Sequence, residues 1–146
     1  MKVQRTVEID AAPADVYRVI MDPHSLERWV TIHVKLEDSP DGQLRKGSEL
    51  TQRLALAGRG FTVHWEVVEN DPARRVVWEG RGPMRSHAGV TYELSGDGDG
   101  PTTFTYTNEF ALPGGPLGRV AGPVVARVTG GELDRSLQRL RALVED

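Results

Sequence analysis

The chain has 146 residues, a formal net charge of −3 and no cysteine. That length favours one domain that needs no covalent staple, and the missing cysteines exclude disulfides, thiolate catalysis and cysteine metal sites. Both signs of charge are mixed along the chain, which argues against a nucleic-acid surface, and no run approaches the ~18 apolar residues of a membrane span.

The opening MKVQRTVEID has no long apolar run, so no signal peptide is expected and a cytoplasmic location fits. Val3, Arg5, Val7 and Ile9 alternate with Lys2, Gln4, Thr6 and Glu8, the period of a strand. A short helix follows: Val16, Val19 and Ile20 recur at helical spacing. Pro13 suits its first turn and Asp15 its positive end. Asp22-Pro23 breaks it, and PHSLERWV reads as a second short helix ending near Trp29.

From Ile32 the pattern turns to period two for almost eighty residues. IHVKLED places Ile32, Val34 and Leu36 on one face. SELTQRLAL places Leu50, Gln52, Leu54 and Leu56 there, and FTVHWEVV places Phe61, Val63, Trp65 and Val67. VVWEGRG is a short strand in which the phase of Trp78 is ambiguous. SHAGVTYEL carries Val90 and Tyr92 inward, and TTFTYTNEF carries Phe104, Tyr106, Asn108 and Phe110. Short turns such as Asp41-Gly42 and SGDGDGP join these strands into an antiparallel meander. A sheet with one apolar face needs a cover, and the C-terminal helix is the element long enough to supply it.

The opening VEIDAAPADVYRVIMDPHSLERW resembles the start of START-like domains, also called SRPBCC or polyketide cyclase/dehydrase-like proteins. It has a strand, Ala-Pro, a short helix with the pair Val16-Tyr17, Asp-Pro, and Trp29 about seven residues later. GELDRSLQRLRALVE resembles the last helix of that family, so the likeness covers nearly the whole chain, 1–146, as a single domain. The resemblance implies an α+β helix-grip fold, a curved seven-stranded antiparallel sheet around a long C-terminal helix with two short helices after the first strand. It also implies an apolar cavity between sheet and helix. Members bind lipids, sterols, polyketides and plant hormones, and some cyclise polyketides.

Polar groups that break the apolar phase are the candidate contacts for a ligand. Gln52, Asn108 and Arg5 share faces with apolar residues, and a buried polar group without a partner costs about 1–3 kcal/mol. Gln52 and Asn108 are taken as recognition groups, and Arg5 is expected to emerge at a strand end. Trp65, Tyr92 and Tyr106 offer large apolar bodies with one polar tip each, the kind of side chain that lines pockets. The histidines His33, His64 and His87 fall in the outward phase and His24 in a turn. No metal-ligand spacing, serine-nucleophile motif or phosphate loop is present.

In the C-terminal helix, Leu117, Val120, Val124 and Val128 form one stripe and Leu133, Leu137, Leu140 and Val144 a second. Five residues separate Val128 from Leu133, which sets the stripes about 140° apart on a straight helix. Thr129-Gly130-Gly131-Glu132 matches a capping box, so a break, kink or π-bulge is expected there, with Pro123 adding a kink. Residues 116–129 would then form either a mobile gate over the cavity, anchored by 132–144, or one arm of a rigid kink that follows the curvature of the sheet, with Val124 and Val128 lining the cavity.

The sequence therefore points to a protein that binds or carries a small hydrophobic molecule and needs no cofactor. The alternatives are a polyketide cyclase or aromatase and a regulatory or chaperone-like partner acting through its surface. With no inward acid or base in the assigned phase, binding is favoured over catalysis. Monomer and dimer are both compatible with the sequence.

Overall fold

Alternation commits most of the chain to strands, and the structure, a computed structural model, follows it. It describes residues 2–111 and 115–145, with side chains described outside 111–123. The elements are β1 (Lys2–Ile9), α1 (Pro13–Ile20), a 3-10 turn (Pro23–Ser25), α2 (Leu26–Trp29), β2 (His33–Asp38), β3 (Glu49–Leu56) and β4 (Arg59–Asp71). They continue with β5 (Arg75–Arg81), a second 3-10 turn (Pro83–Arg85), β6 (His87–Ser95), β7 (Thr102–Ala111) and α3 (Gly115–Glu145).

Seven strands make one sheet in the order β1-β7-β6-β5-β4-β3-β2, antiparallel throughout. Strands β2 to β7 form a meander, and β1 closes beside β7 at the far edge. This is the expected α+β helix-grip arrangement, with α3 against β1 and α2. Trp78, ambiguous in the sequence, is buried on the inner face with Val90, Tyr92 and Phe104. Leu133, Leu137 and Leu140 cover that face from α3, and Val16, Ile20 and Trp29 cover it from the short helices. Burying one such side chain is worth about 1.5–3 kcal/mol.

Two details differ from the alternation. Ladder pairing between β2 and β3 shifts between His33 and Lys35 and again between Leu36 and Asp38. A bulge inserts one residue and so reverses which side chains face in. Val34 is accordingly 55 % exposed, while Leu36 packs on the core and His33 turns to the inside. The inward assignment of Val34 and the outward assignment of His33 are both overturned.

The second difference is α3, which runs as one α-helix from Gly115 to Glu145 with no break or π-bulge between Thr129 and Glu132. The capping box is not formed. Glu132 accepts instead from the Thr31 hydroxyl and pairs with Arg135, and the Thr129 hydroxyl has no partner among the described residues. Of the upstream stripe, the described members Val124 and Val128 are left out of the core. Val124 is 63 % exposed rather than lining the interior, and Val128 is only half-buried. The buried face runs instead through Ala126, Thr129, Gly130, Leu133, Leu137, Leu140 and Val144, steps that fit a single face. The Leu117 and Val120 side chains, and residues 116–123 of the gate expected over 116–129, fall outside those whose side chains are described.

Gly130 has a packing reason. A Cβ built there would lie 2.4 Å from the Arg5 guanidinium and 3.8 Å from a Val3 methyl. Arg5 crosses the helix at that point to reach Asp134, one turn on, at 3.1 Å. Gly131 faces only Arg135, at an ordinary 3.6 Å. Gly80, on β5, lies under Trp65 and Val63, both 2.7 Å from a built Cβ. Three substitutions should therefore separate in urea unfolding. Gly131→Ala should raise stability by up to about 1 kcal/mol, the helix-propensity difference. Gly130→Ala should fall within about 1 kcal/mol of neutral, because propensity offsets a displaced exposed ion pair worth ~0–1 kcal/mol. Gly80→Ala should lose about 1–3 kcal/mol to overpacking against a rigid indole.

Candidate functional site

The inner face of the sheet carries a continuous aromatic wall. Register places Trp78, Val90, Asn108 and Val3 in one row across β5, β6, β7 and β1. The next row holds Val76, Tyr92, Tyr106 and Arg5. Trp65 meets Trp78 edge-on at 5.9 Å, and Trp78 meets Tyr92 at 5.7 Å. Tyr92 lies 5.4 Å from Tyr106, and Trp29, brought in by α2, stands perpendicular to Tyr106 at 5.6 Å. Tilted and edge-to-face pairs of this kind add about 0.5–1.5 kcal/mol each beyond burial.

Into this wall are set polar atoms of two kinds. Gln52 is bonded at both ends: its Oε1 accepts from Trp65 Nε1 at 3.0 Å and its Nε2 lies 2.8 Å from His33 Nδ1. Trp29 Nε1, Trp78 Nε1 and Asn108 Nδ2 are buried with no partner among the described residues, as is the Thr129 hydroxyl. Three of these four can only donate. Thr129 adjoins Gly130, which packs over Val3, and Val3 is the cross-strand neighbour of Asn108. One turn of α3 and one row of the sheet thus bring two orphans to the same region. Buried polar groups are almost always paired, so four unpaired polar atoms among the described residues of one interior are exceptional.

Of the sequence candidates, Trp65, Tyr92, Tyr106, Asn108 and Gln52 are all buried on this face, and Gln52 and Trp65 are bonded to each other. Arg5 is on the inward row but pairs its charge with Asp134 at the rim. Val124 stands apart in solvent. The sequence reading missed Trp29 and Trp78 as polar groups, Thr129 as a helix-side one, and His33. A helix-borne Trp and a bulge leave no trace in strand alternation.

Burial sets the ionisation of the interior. Tyr92 is pushed well above the usual phenol range by desolvation, with Tyr106 beside it adding to the effect. Desolvation pushes Tyr106 up to about 12, and the Asn108 side chain opposes this, although Asn108 Nδ2 completes no hydrogen bond of ordinary geometry. Both phenols are therefore neutral donors near neutral pH. His33 is held below the usual imidazole range, by burial first, while Glu27 pulls the other way.

The outer face is different. Glu49, Glu66 and Glu79 sit side by side across β3, β4 and β5 at the floor of an open groove of about 520 Å³ that also reaches His64 and His87. His64 bonds Thr51 rather than Glu66. No group of three or more metal-ligating side chains is placed to hold an ion among the described residues. Nor is any described helix long and apolar enough to cross a membrane.

Comparison with known proteins agrees with this fold. Residues 1–145 match the family described as polyketide cyclase / dehydrase and lipid transport. The chain belongs to this family. An uncharacterised protein of Mycobacterium tuberculosis H37Rv, Rv1546, is 23% identical over 141 residues, covering 97% of this chain and 96% of that one. Among solved structures, TTHA0849 from Thermus thermophilus superposes with a TM-score of 0.78 at 18% identity, covering 99% of this chain and 97% of that one. The ZhuI aromatase/cyclase from Streptomyces sp. R1128 superposes at 0.76 and 19% identity, with 99% and 93% covered. At these identities the structural likeness speaks to the fold. Family membership supports a role in binding hydrophobic molecules or in cyclase-type chemistry on them.

The His33 shift has a consequence for stability. Its folded-state pKa is depressed, so the neutral ring is favoured in the fold. Above about pH 6.5, the ordinary histidine value, folded and unfolded chains are both neutral and the term is constant. As pH falls below that value the unfolded chain binds its proton first, and stability declines. The lowered carboxyls of Glu132 and Glu145 act in a separate window, below the ordinary glutamate value of 4.5. Urea midpoints measured from pH 8 to 5 should fall in the native chain and fall less in His33→Phe.

Proposed function

We propose that the chain binds, and in that sense carries, a small neutral hydrophobic molecule in the interior between the sheet and α3. The observation behind this reading is the set of unpaired donors, Trp29 Nε1, Trp78 Nε1 and Asn108 Nδ2, set in an aromatic wall. Donors without acceptors call for a ligand with carbonyl, ether or hydroxyl oxygens. The wall itself suits a flat, ring-containing body. A free carboxylate or phosphate head is disfavoured, because the described cation on the inward rows, Arg5, is already paired with Asp134. Trp65, Tyr92 and Tyr106 supply shape and stacking, and the reading requires no cofactor.

A cyclase-type enzyme is the second reading, supported by the family description. It asks for a group that moves protons near neutral pH. The raised phenols of Tyr92 and Tyr106 suit that task poorly, which leaves His33 as the inward-turned candidate.

Native mass spectrometry of protein purified from its own source should show a co-purified neutral ligand. A bare protein that also takes up no neutral aromatic ketone would count against the reading. Asn108→Leu separates recognition from folding. Replacing a buried amide whose Nδ2 has no partner among the described residues by an isosteric apolar group should change stability little. It should weaken ligand binding by about two- to tenfold, the worth of one net hydrogen bond.

A further inference from the structure

The interior holds one hydrogen-bonded chain that ends on a titratable ring. Trp65 Nε1 donates to Gln52 Oε1 at 3.0 Å, and Gln52 Nε2 lies 2.8 Å from His33 Nδ1. An indole N–H can only donate, so the Gln52 oxygen must face Trp65 and the amide nitrogen must face His33. That nitrogen can only donate too, so Nδ1 must accept. The geometry therefore assigns a tautomer: His33 is neutral with its proton on Nε2. A second proton on Nδ1 would set donor against donor across 2.8 Å.

We propose that His33 is a proton-operated latch on the Trp65 indole, and through it on the interior site. When Nδ1 is protonated, the Gln52 amide turns over so that Oε1 accepts from the imidazolium. The amide nitrogen then faces Trp65, and the indole N–H is released as one more donor beside that of Trp78, whose ring lies 5.9 Å away. The effect on a ligand rests on the reading of the interior as a binding site; the turn of Gln52 does not.

The charges around His33 allow such a switch. Glu27 on α2 favours the protonated ring, and Gln52 on β3 is uncharged. On α3, Glu132 and Arg135 pair with each other where Glu132 holds Thr31, two residues before His33. Partial burial works against the charge, so the latch is closed at neutral pH and opens below the ordinary imidazole range. The bulge in β2 is what turns His33 toward Gln52.

Side-chain nitrogen NMR tests the latch without a ligand. His33 should show the Nε2–H tautomer at about pH 7.5 and titrate below the ordinary histidine value of about 6.5. The Trp65 indole N–H should shift with the same midpoint, while Trp29 and Trp78 shift far less. In Gln52→Leu the Trp65 signal should no longer follow His33. A Trp65 signal that ignores the His33 titration, or a neutral His33 carrying its proton on Nδ1, overturns the latch. The second arm uses prodan, a neutral naphthalene ketone. It should bind about two- to tenfold tighter at pH 5 than at pH 7.5, the worth of one added donor. That pH dependence should vanish in Gln52→Leu. Prodan that binds at neither pH counts against the interior site. Prodan that binds equally at both, with Trp65 titrating, overturns the coupling of latch to ligand.

Discussion

An uninterrupted α3 is the constraint on which the rest of the architecture depends. A helix that stays regular from Gly115 to Glu145 can offer the sheet one face only. Two apolar stripes about 140° apart cannot both be buried by it. The downstream stripe, with Leu133, Leu137 and Leu140, is the one that is buried, while Val124 stands exposed and Val128 half-buried. Upstream, the same face continues as Ala126, Thr129 and Gly130. These small residues let α3 approach β1 closely, and the Arg5–Asp134 pair closes over that contact. The helix is thus tight at one end and lined with small, partly polar groups toward the other. The unpaired Thr129 hydroxyl sits where that change occurs.

The same seam explains why the short helices matter. Thr31, between α2 and β2, donates its backbone N–H to the Ser136 hydroxyl at 3.0 Å and its own hydroxyl to Glu132. These bonds tie α3 to the start of β2, just before the bulge that turns His33 inward. Glu132 is held ionised first by Thr31 and then by Arg135. Residues that the sequence presents as a helix cap are in fact a clamp between layers.

Most of the fold was legible because a sheet writes its phase into the sequence. Apolar residues at every second position named the inner face of β3, β4, β6 and β7 correctly, Gln52 and Asn108 included. Legibility failed where the physical cause was not local. The bulge in β2 is decided by pairing with β3, so Val34 and His33 were assigned to each other's faces. The glycine pair in α3 looks like a breaker by propensity. Tertiary packing overrides a cost of about 1 kcal/mol per glycine, and at Gly130 it uses the space a Cβ would fill. Trp29 is marked by the family pattern alone, and nothing in its own short helix signals that its N–H is buried and unpaired.

Within the interior, satisfied and unsatisfied polar groups divide the labour. Gln52 commits one bond from each end of its amide, to Trp65 and to His33, and so fixes two rings. The indole N–H groups of Trp29 and Trp78 and the amide nitrogen of Asn108 are the reverse: they have no hydrogen-bond partner among the described residues, and their desolvation opposes folding. A chain that keeps three such donors beside a packed aromatic wall gains most from whatever supplies the acceptors. Binding and proton transfer then fall to different side chains. On the proposed reading, the unpaired donors would select the oxygens of a ligand. His33, at the bulged edge of the sheet, is the inward-turned imidazole, while burial raises the tyrosines further above a phenol range that already lies well above neutral.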